Sequence, residues 1–470
     1  MWKKPLPILT VKQGRIIVEL CYINASTSLS STMPAKLPLL SMSAPGDLIA
    51  WWRDGPIRRE RFLRHVTAVA RHLPAGRFIF NLCEDRYLFL VAFAAVGANG
   101  QSNLLPSSRA ELHVRRVADD YPDNGRITDS DIKAWLETAT AGPDVPAVPE
   151  VSSDQVMAIA FTSGSTGLAK PNPKTWGELI GGARQARQRF GFDPTTAIVA
   201  TVPPQHMYGL ETSIMAPLAS GARVHGGRPF FPDDIRAALA AVPAPRVLVT
   251  TPVHLQACVQ AGLTWPRPAF LISATAPLSD ALAARAEAAF GAPVLEIYGC
   301  TEAGSIASRR TLDGDRWRLY DGFELRDGSL SGAHLPEPVP LNDVVEPCGA
   351  AEFKLLGRRE DVVNIAGKRT SLGYLNHQLN AIDGVIEGVF LTPESEEAEV
   401  VRLAALVVAP DLSKRQLLAA LAQRLDPVFL PRPLVKVDAL PRNETGKPTR
   451  AALLALLAGS RPAASVPHDR

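Results

Sequence analysis

Phe161-Thr162-Ser163-Gly164-Ser165-Thr166-Gly167-Leu168-Ala169-Lys170 gathers four hydroxyl side chains, two glycines and a lysine into ten residues, directly after the apolar run Val156 to Ala160. The stretch reads as a strand running into an anion-binding loop. Gly164 and Gly167 let the backbone approach an anion and turn its N–H groups inward. Thr162, Ser163, Ser165 and Thr166 add hydroxyl donors, and Lys170 adds a mobile positive charge. A triphosphate suits such a cradle.

The nearest generic pattern is G-x-x-x-x-G-K-[ST], whose last hydroxyl holds magnesium. Here Gly167 is followed by Leu168-Ala169-Lys170-Pro171, so that hydroxyl is missing and a kinase or GTPase loop is excluded. On its own the cluster fits an ordinary turn as well as a nucleotide loop. Three further stretches tip the reading: Tyr298-Gly299-Cys300-Thr301-Glu302, Gly357-Arg358-Arg359-Glu360-Asp361, and Leu440-Pro441-Arg442-Asn443-Glu444-Thr445-Gly446-Lys447.

With the opening loop, and in this order from about Val151 to Arg450, these stretches resemble the signature motifs of the adenylate-forming superfamily. That superfamily includes acyl-CoA synthetases, aryl-acid ligases, luciferases and peptide-synthetase adenylation domains. The resemblance implies activation of a carboxylic acid by ATP and magnesium: an acyl adenylate forms, pyrophosphate leaves, and a thiol then displaces AMP. It assigns the β- and γ-phosphates to the loop and Lys170, magnesium to Glu302 and the α-phosphate to Thr301. Lys447 is placed between the carboxylate and the α-phosphate, as the catalytic lysine.

By the same resemblance Tyr298 and Gly299 belong to the nucleotide site, and Ala274, Thr275 and Ala276, within Ser273-Ala274-Thr275-Ala276-Pro277, form a small-residue turn against adenine. Asp343 is implied to bind the ribose hydroxyls, as a carboxylate suits a diol, although the usual Thr-Gly before it is absent. Arg358 is also assigned to the ribose. His206 and Tyr208, in Pro203-Pro204-Gln205-His206-Met207-Tyr208-Gly209, are implied to flank the acid. Glu360 stands at the pivot of a mobile carboxyl-terminal domain, where many relatives carry Asp or Lys. Rotation about it would withdraw Lys447 and bring Asn364 to Lys368 to the thiol, with Gly367 letting a pantetheine arm pass.

Asn81-Leu82-Cys83-Glu84-Asp85-Arg86-Tyr87 followed by Asn103-Leu104-Leu105-Pro106 looks like the AMP ligases of bacterial aryl-polyene and xanthomonadin-type pigment clusters. That likeness implies a hydroxybenzoate- or cinnamate-like acid loaded onto the phosphopantetheine of an acyl carrier protein. One alternative is a general acyl-CoA synthetase that uses free CoA. Another is a non-catalytic nucleotide-binding relative, against which intact Lys170, Glu302, Arg358 and Lys447 argue.

Composition is that of a globular chain. The chain has 470 residues, 46% of them hydrophobic, enough for two or three packed domains. A formal net charge of +3, with arginines scattered among acids, offers no stripe for nucleic acid. Cys21, Cys83, Cys258, Cys300 and Cys348 lie far apart without zinc spacing, which fits small buried residues in a reducing, cytoplasmic setting. No run reaches the roughly 18 apolar residues of a membrane span, and Tyr87 to Ala98 reads as a core helix.

Residues 1–42 differ in composition and are expected to be a disordered extension or an over-called start, with Met33 or Met42 as the true first residue. Residues 43–357 are expected to form the large ATP- and acid-binding domain and residues 358–470 a small mobile α+β domain. Leu48 to His72 is expected to form surface helices, and Thr138 to Ser153, with Pro143, Pro146 and Pro149, a stiff linker. Strands are expected at Arg77 to Leu82, Ser102 to Leu105, Ile198 to Val202, Arg246 to Thr250, Ala269 to Ile272 and Val294 to Ile297. Helices are expected at Glu84 to Val96, Trp176 to Phe190, Asp233 to Ala241, Pro252 to Gly262 and Ser279 to Phe290. This alternation predicts an α/β fold of parallel and mixed sheets covered by helices, with ligands at the carboxyl ends of the strands. Beyond Val385, strands Val385 to Leu391 and Arg402 to Val408 precede an amphipathic helix, Ser413 to Leu425, with Ser413 as N-cap.

Overall fold

The computed structural model describes residues 8–12, 15–19, 34–41, 47–53, 55–137, 146–163, 169–358, 362–365, 368–393, 403–442 and 449–459. Two compact units are present, Met1–Ala35 and Lys36–Arg470. In the first, Ile8–Lys12 and Arg15–Glu19 pair as an antiparallel hairpin; the expectation for this stretch was a disordered extension or an over-called start. β-branched Ile8, Thr10, Ile16, Ile17 and Val18 favour that pairing.

In the second unit, apolar runs bounded by turn residues become the strands of two sheets. The smaller has five strands in the order Ala169–Thr175, Val156–Ser163, Ser102–Leu105, Phe78–Asn81, Asn124–Ile127. All but the first run parallel. The larger has eleven strands. Its centre is parallel, from Val294–Cys300 through Phe270–Ser273, Arg246–Thr250, Ala197–Ala200 and Arg223–His225 to Leu48–Trp52, and antiparallel strands flank it on both sides. Parallel strands need helical crossovers, and the helices Trp176–Phe190, Pro232–Ala241, Pro252–Gln260 and Asp280–Phe290 fall within a residue or two of the expected bounds.

The helix Arg86–Ala98 is buried from Arg86 to Gly97. Tyr87 to Ala98 carries no charge on any face, so the helix can be enclosed all round within the main core. Two more clusters draw only on residues from 363 onward. Their frame is the sheet Glu387–Leu391, Ala404–Val408, Leu434–Lys436 and the helices Leu372–Asn380, Lys414–Ala422 and Arg450–Gly459. Ser413 caps its helix in a reciprocal pair with Gln416.

Several expectations fail, each for a physical reason. Leu48 to His72 is not helical throughout: Leu48–Trp52 and Gly55–Arg58 form an edge hairpin, and only Arg59–Ala70 is helix. Nor is that helix superficial, since Phe62, Leu63, Val66 and Val69 are buried; the interspersed arginines disguised a core face. Ala169–Thr175, for which no element was expected, is a strand despite Pro171 and Pro173. It lies at the sheet edge, where a missing N–H is tolerated. The boundary expected at residue 42 falls too late, because Lys36–Pro38 pairs with Glu150–Ser152 inside the expected linker and buries Leu39 and Leu40. Cys83 and Cys258 are buried, but Cys300 and Cys348 are partly exposed. Among the described residues no helix is long and apolar enough to cross a membrane.

Candidate active site

The strand Val156–Ser163 carries Thr162 and Ser163 to the carboxyl end of the smaller sheet. The returning strand sets Thr162 opposite Lys170. Gly164, Ser165, Thr166 and Gly167 lie outside the described residues, as do Glu360, Gly367 and Lys447. In the larger sheet, Val294–Cys300 turns through Thr301 and Glu302 into Gly304–Arg310. The ends of the two sheets meet here: Lys170 Nζ lies 3.3 Å from Glu302 Oε1, with the side chains 64% and 31% exposed. Both charges therefore remain accessible to a polar ligand.

A second contact joins motifs distant in sequence. The Tyr298 hydroxyl donates to Asp343 Oδ2 at 2.6 Å. The Tyr298 ring is 9% exposed and packs against Trp317 and Phe353, so the phenol is fixed. Asp343 opens the strand Asp343–Pro347, and its cross-strand partner is Arg358. The residues expected to meet a ribose are thus brought together. Ala274, Thr275 and Ala276 follow the strand Phe270–Ser273 at the same sheet end. Thr275 adopts φ +80°, a region costly to a β-branched residue.

His206 caps the short helix Met207–Leu210 through its backbone and is half-buried. The Tyr208 hydroxyl lies 3.0 Å from the carbonyl oxygens of both Thr250 and Ile272. It shares one proton between two adjacent strand ends, and burial drives its pKa well up. That hydroxyl is an anchor of the sheet. Cys300 has its thiol pushed up to about 11 by burial, so the protonated form, a poor nucleophile, is favoured at neutral pH.

Three contributors were not foreseen. Lys174, buried on the edge strand, donates from Nζ to the Glu302 carbonyl and lies 4.0 Å from Glu178. Glu178 caps the helix Trp176–Phe190 reciprocally with Thr175, and the T-x-x-E spacing was a readable sign of it. Glu211 lies in a π-helical turn, Glu211–Met215, a feature frequent at functional sites. Its carboxylate accepts from the Ser305 N–H at 3.1 Å and from the Ser305 hydroxyl. Burial raises its pKa, opposed by those bonds and by Lys174 nearby. A lone charge within the otherwise uncharged stretch Met207 to Leu218 was its only signal. Gly304, at φ +78°, lets the turn close, since a Cβ there would stand 2.2 Å from Glu211 Oε1.

Lys174 and Glu211 therefore grip the turn from both sides while leaving the Glu302 carboxylate at the surface. One partly exposed carboxylate beside a lysine is a donor set suited to magnesium that keeps its waters and takes its other ligands from phosphates.

The two sheets, with their carboxyl ends facing one polar site, are the fold of the adenylate-forming enzymes. ATP-bound MatB from Rhodopseudomonas palustris superposes with a TM-score of 0.77 at 19% identity, covering 88% of this chain and 97% of that one. The Bacillus subtilis O-succinylbenzoate coenzyme A synthetase MenE, in complex with AMP, gives 0.76 at 16% identity, covering 89% and 98%. The chain belongs to the AMP-binding enzyme family, whose model matches residues 70–325. It is similar to a 4-coumarate–CoA ligase of Rhodobacter capsulatus, 29% identical over 256 residues, or 54% of this chain and 64% of that relative's length.

Proposed function

We propose that the chain is an AMP-forming acid–thiol ligase that activates an aromatic, hydroxybenzoate- or cinnamate-like acid and transfers it to the phosphopantetheine thiol of an acyl carrier protein. The observation that carries the reading is the Lys170–Glu302 pair, which unites the phosphate-loop strand and the Tyr298 motif at one sheet end. Support for an aryl acid comes from the likeness to a 4-coumarate–CoA ligase and from the pigment-ligase-like stretch Asn81 to Tyr87.

A carboxylate and a triphosphate repel each other, so the site must chiefly align and neutralise. A carboxylate oxygen attacks the α-phosphorus and the bond to pyrophosphate breaks. Lys170 and the 164–167 loop hold the β- and γ-phosphates, while Tyr298 positions Asp343 to accept from the ribose diol. Thr301 meets the α-phosphate, and Lys447 bridges the attacking carboxylate and the α-phosphate. Glu302 would hold magnesium together with the phosphates, and the ion would supply charge neutralisation there. In the second half-reaction a thiolate attacks the acyl carbonyl and AMP departs. Residues 358–470 act as the moving domain, pivoting at Glu360, so that Lys447 and the Gly367 segment serve successive half-reactions.

Acid-dependent exchange of pyrophosphate into ATP, measured without thiol, tests the first half-reaction. Exchange is expected with hydroxybenzoates or cinnamates, and Lys447→Ala is expected to lose it while still binding ATP. Equal inertness of wild type and variant with every acid would remove the enzyme reading. Holo carrier protein compared with free CoA then separates the acceptors.

A further inference from the structure

The second half of the helix Trp176–Phe190 and the chain leaving the strand Arg316–Leu319 border an open cavity of about 170 Å³. Gln185, Gln188, Arg189, Arg318 and Asp321 line it, a set separate from the nucleotide- and acid-contacting residues. From Glu178, beside the Glu302 turn, to Arg189 the helix rises about 16 Å.

Most of this wall is held in place by its own bonds. Arg189 Nε donates to the Ser308 hydroxyl at 2.6 Å and Nη2 reaches the Ser308 carbonyl at 3.5 Å, which fixes the guanidinium and leaves Nη1 unused. Gln188 Nε2 donates to Asp321 Oδ2 at 2.8 Å, and Gln185 Nε2 donates to the Asp321 carbonyl at 3.0 Å. Arg318 makes no hydrogen bond or ion pair among the described residues. Two guanidinium groups therefore share one space with a single carboxylate. Burial, and after it the Arg318 charge, lowers the Arg189 pKa, while Asp321 opposes the shift. A bound anion relieves that repulsion and accepts from both planar forks.

Asp321 decides which anion. Hydrogen phosphate brings anionic oxygens for the two guanidinium groups and a hydroxyl that a carboxylate can accept. Sulfate and simple carboxylates carry no hydrogen at neutral pH, so they set like charge against Asp321, which is costly. We propose that this cavity is a second anion site, selective for a hydrogen-phosphate group, free or at the end of a phosphomonoester, over sulfate.

Isothermal titration of the full chain at pH 7 with phosphate, glycerol 3-phosphate or sulfate tests the site. Lys170→Gln serves as the background, because the phosphate loop is the other place for such an anion. There phosphate should bind at least fivefold tighter than sulfate. Adding Arg318→Gln should weaken phosphate at least tenfold, with circular dichroism confirming the fold. Adding Asp321→Asn should bring phosphate and sulfate within twofold of each other. Glycerol 3-phosphate binding as tightly as phosphate supports a phosphomonoester as the occupant, and phosphate binding alone supports the free anion. No binding at millimolar phosphate, equal affinity for phosphate and sulfate in the background protein, or phosphate binding unchanged by Arg318→Gln overturns the proposal.

Discussion

Gly181 and Gly182 stand side by side inside the helix Trp176–Phe190, and replacing each with alanine should move stability in opposite directions. Glycine in a helix interior costs roughly 0.5–1 kcal/mol relative to alanine, so propensity alone would make both substitutions stabilising. Their surroundings differ. A Cβ at Gly181 would lie 2.2 Å from His334 Cβ and 2.6 Å from its Cγ, whereas one at Gly182 meets nothing nearer than 3.8 Å. Carbon pairs prefer about 3.5–4.0 Å, so the first contact requires displacement of His334, and overpacking of this kind costs typically about 1–3 kcal/mol. Gly182→Ala should therefore stabilise by up to about 1 kcal/mol, and Gly181→Ala should be the less stable of the two by about 1–3 kcal/mol, since the shared propensity gain cancels in the comparison. Urea midpoints read by tryptophan fluorescence, with unchanged transition slopes, give the difference directly. Equal shifts of the same sign would refute the placement of His334 over the helix.

Two further outcomes follow from single contacts. Tyr298→Phe removes the hydroxyl that orients Asp343; hydrogen bonds to charged groups are worth about 1.5–3 kcal/mol, so KM for ATP in the exchange assay should rise about tenfold or more, and an unchanged KM would dissociate Asp343 from the nucleotide. His65 is buried beside Tyr87, and burial, reinforced by Arg61, lowers its pKa from 6.5 to about 4. Below pH 6.5 the unfolded chain takes up a proton that the folded chain refuses until about pH 4, so stability should decline as pH falls through that window. His254, also lowered to about 4 by burial, adds in the same sense. Urea midpoints at pH 7, 6 and 5 should fall less steeply in His65→Gln than in wild type, and parallel lines would refute the assignment.

The fold was most legible where each element answers to its own residues. From Ala197 to Cys300 apolar β-branched runs alternate with amphipathic ones, and the observed strands and helices follow them closely. It was least legible where a partner decides. Pro171 and Pro173 argue against a strand until Val156–Ser163 offers an edge, and Lys36–Pro38 is a strand only because Glu150–Ser152 lies beside it. The site divides the same way. Lys170, Glu302, Tyr298 and Asp343 sit in recognisable motifs, and the structure joins them in pairs. Lys174 and Glu211 have no motif, because their roles arise only when the edge strand and the π-helical turn converge on the turn after Cys300.

Lys174 grips residue 302 by its carbonyl, a group every amino acid possesses. The shape of the turn is thereby insulated from the identity of the side chain it displays. Glutamate could be exchanged for another residue there, and the loop would still be presented in the same pose. Divergent members of such a lineage could lose or retune their chemistry at this position by one codon change, without first having to re-evolve the scaffold that aims it.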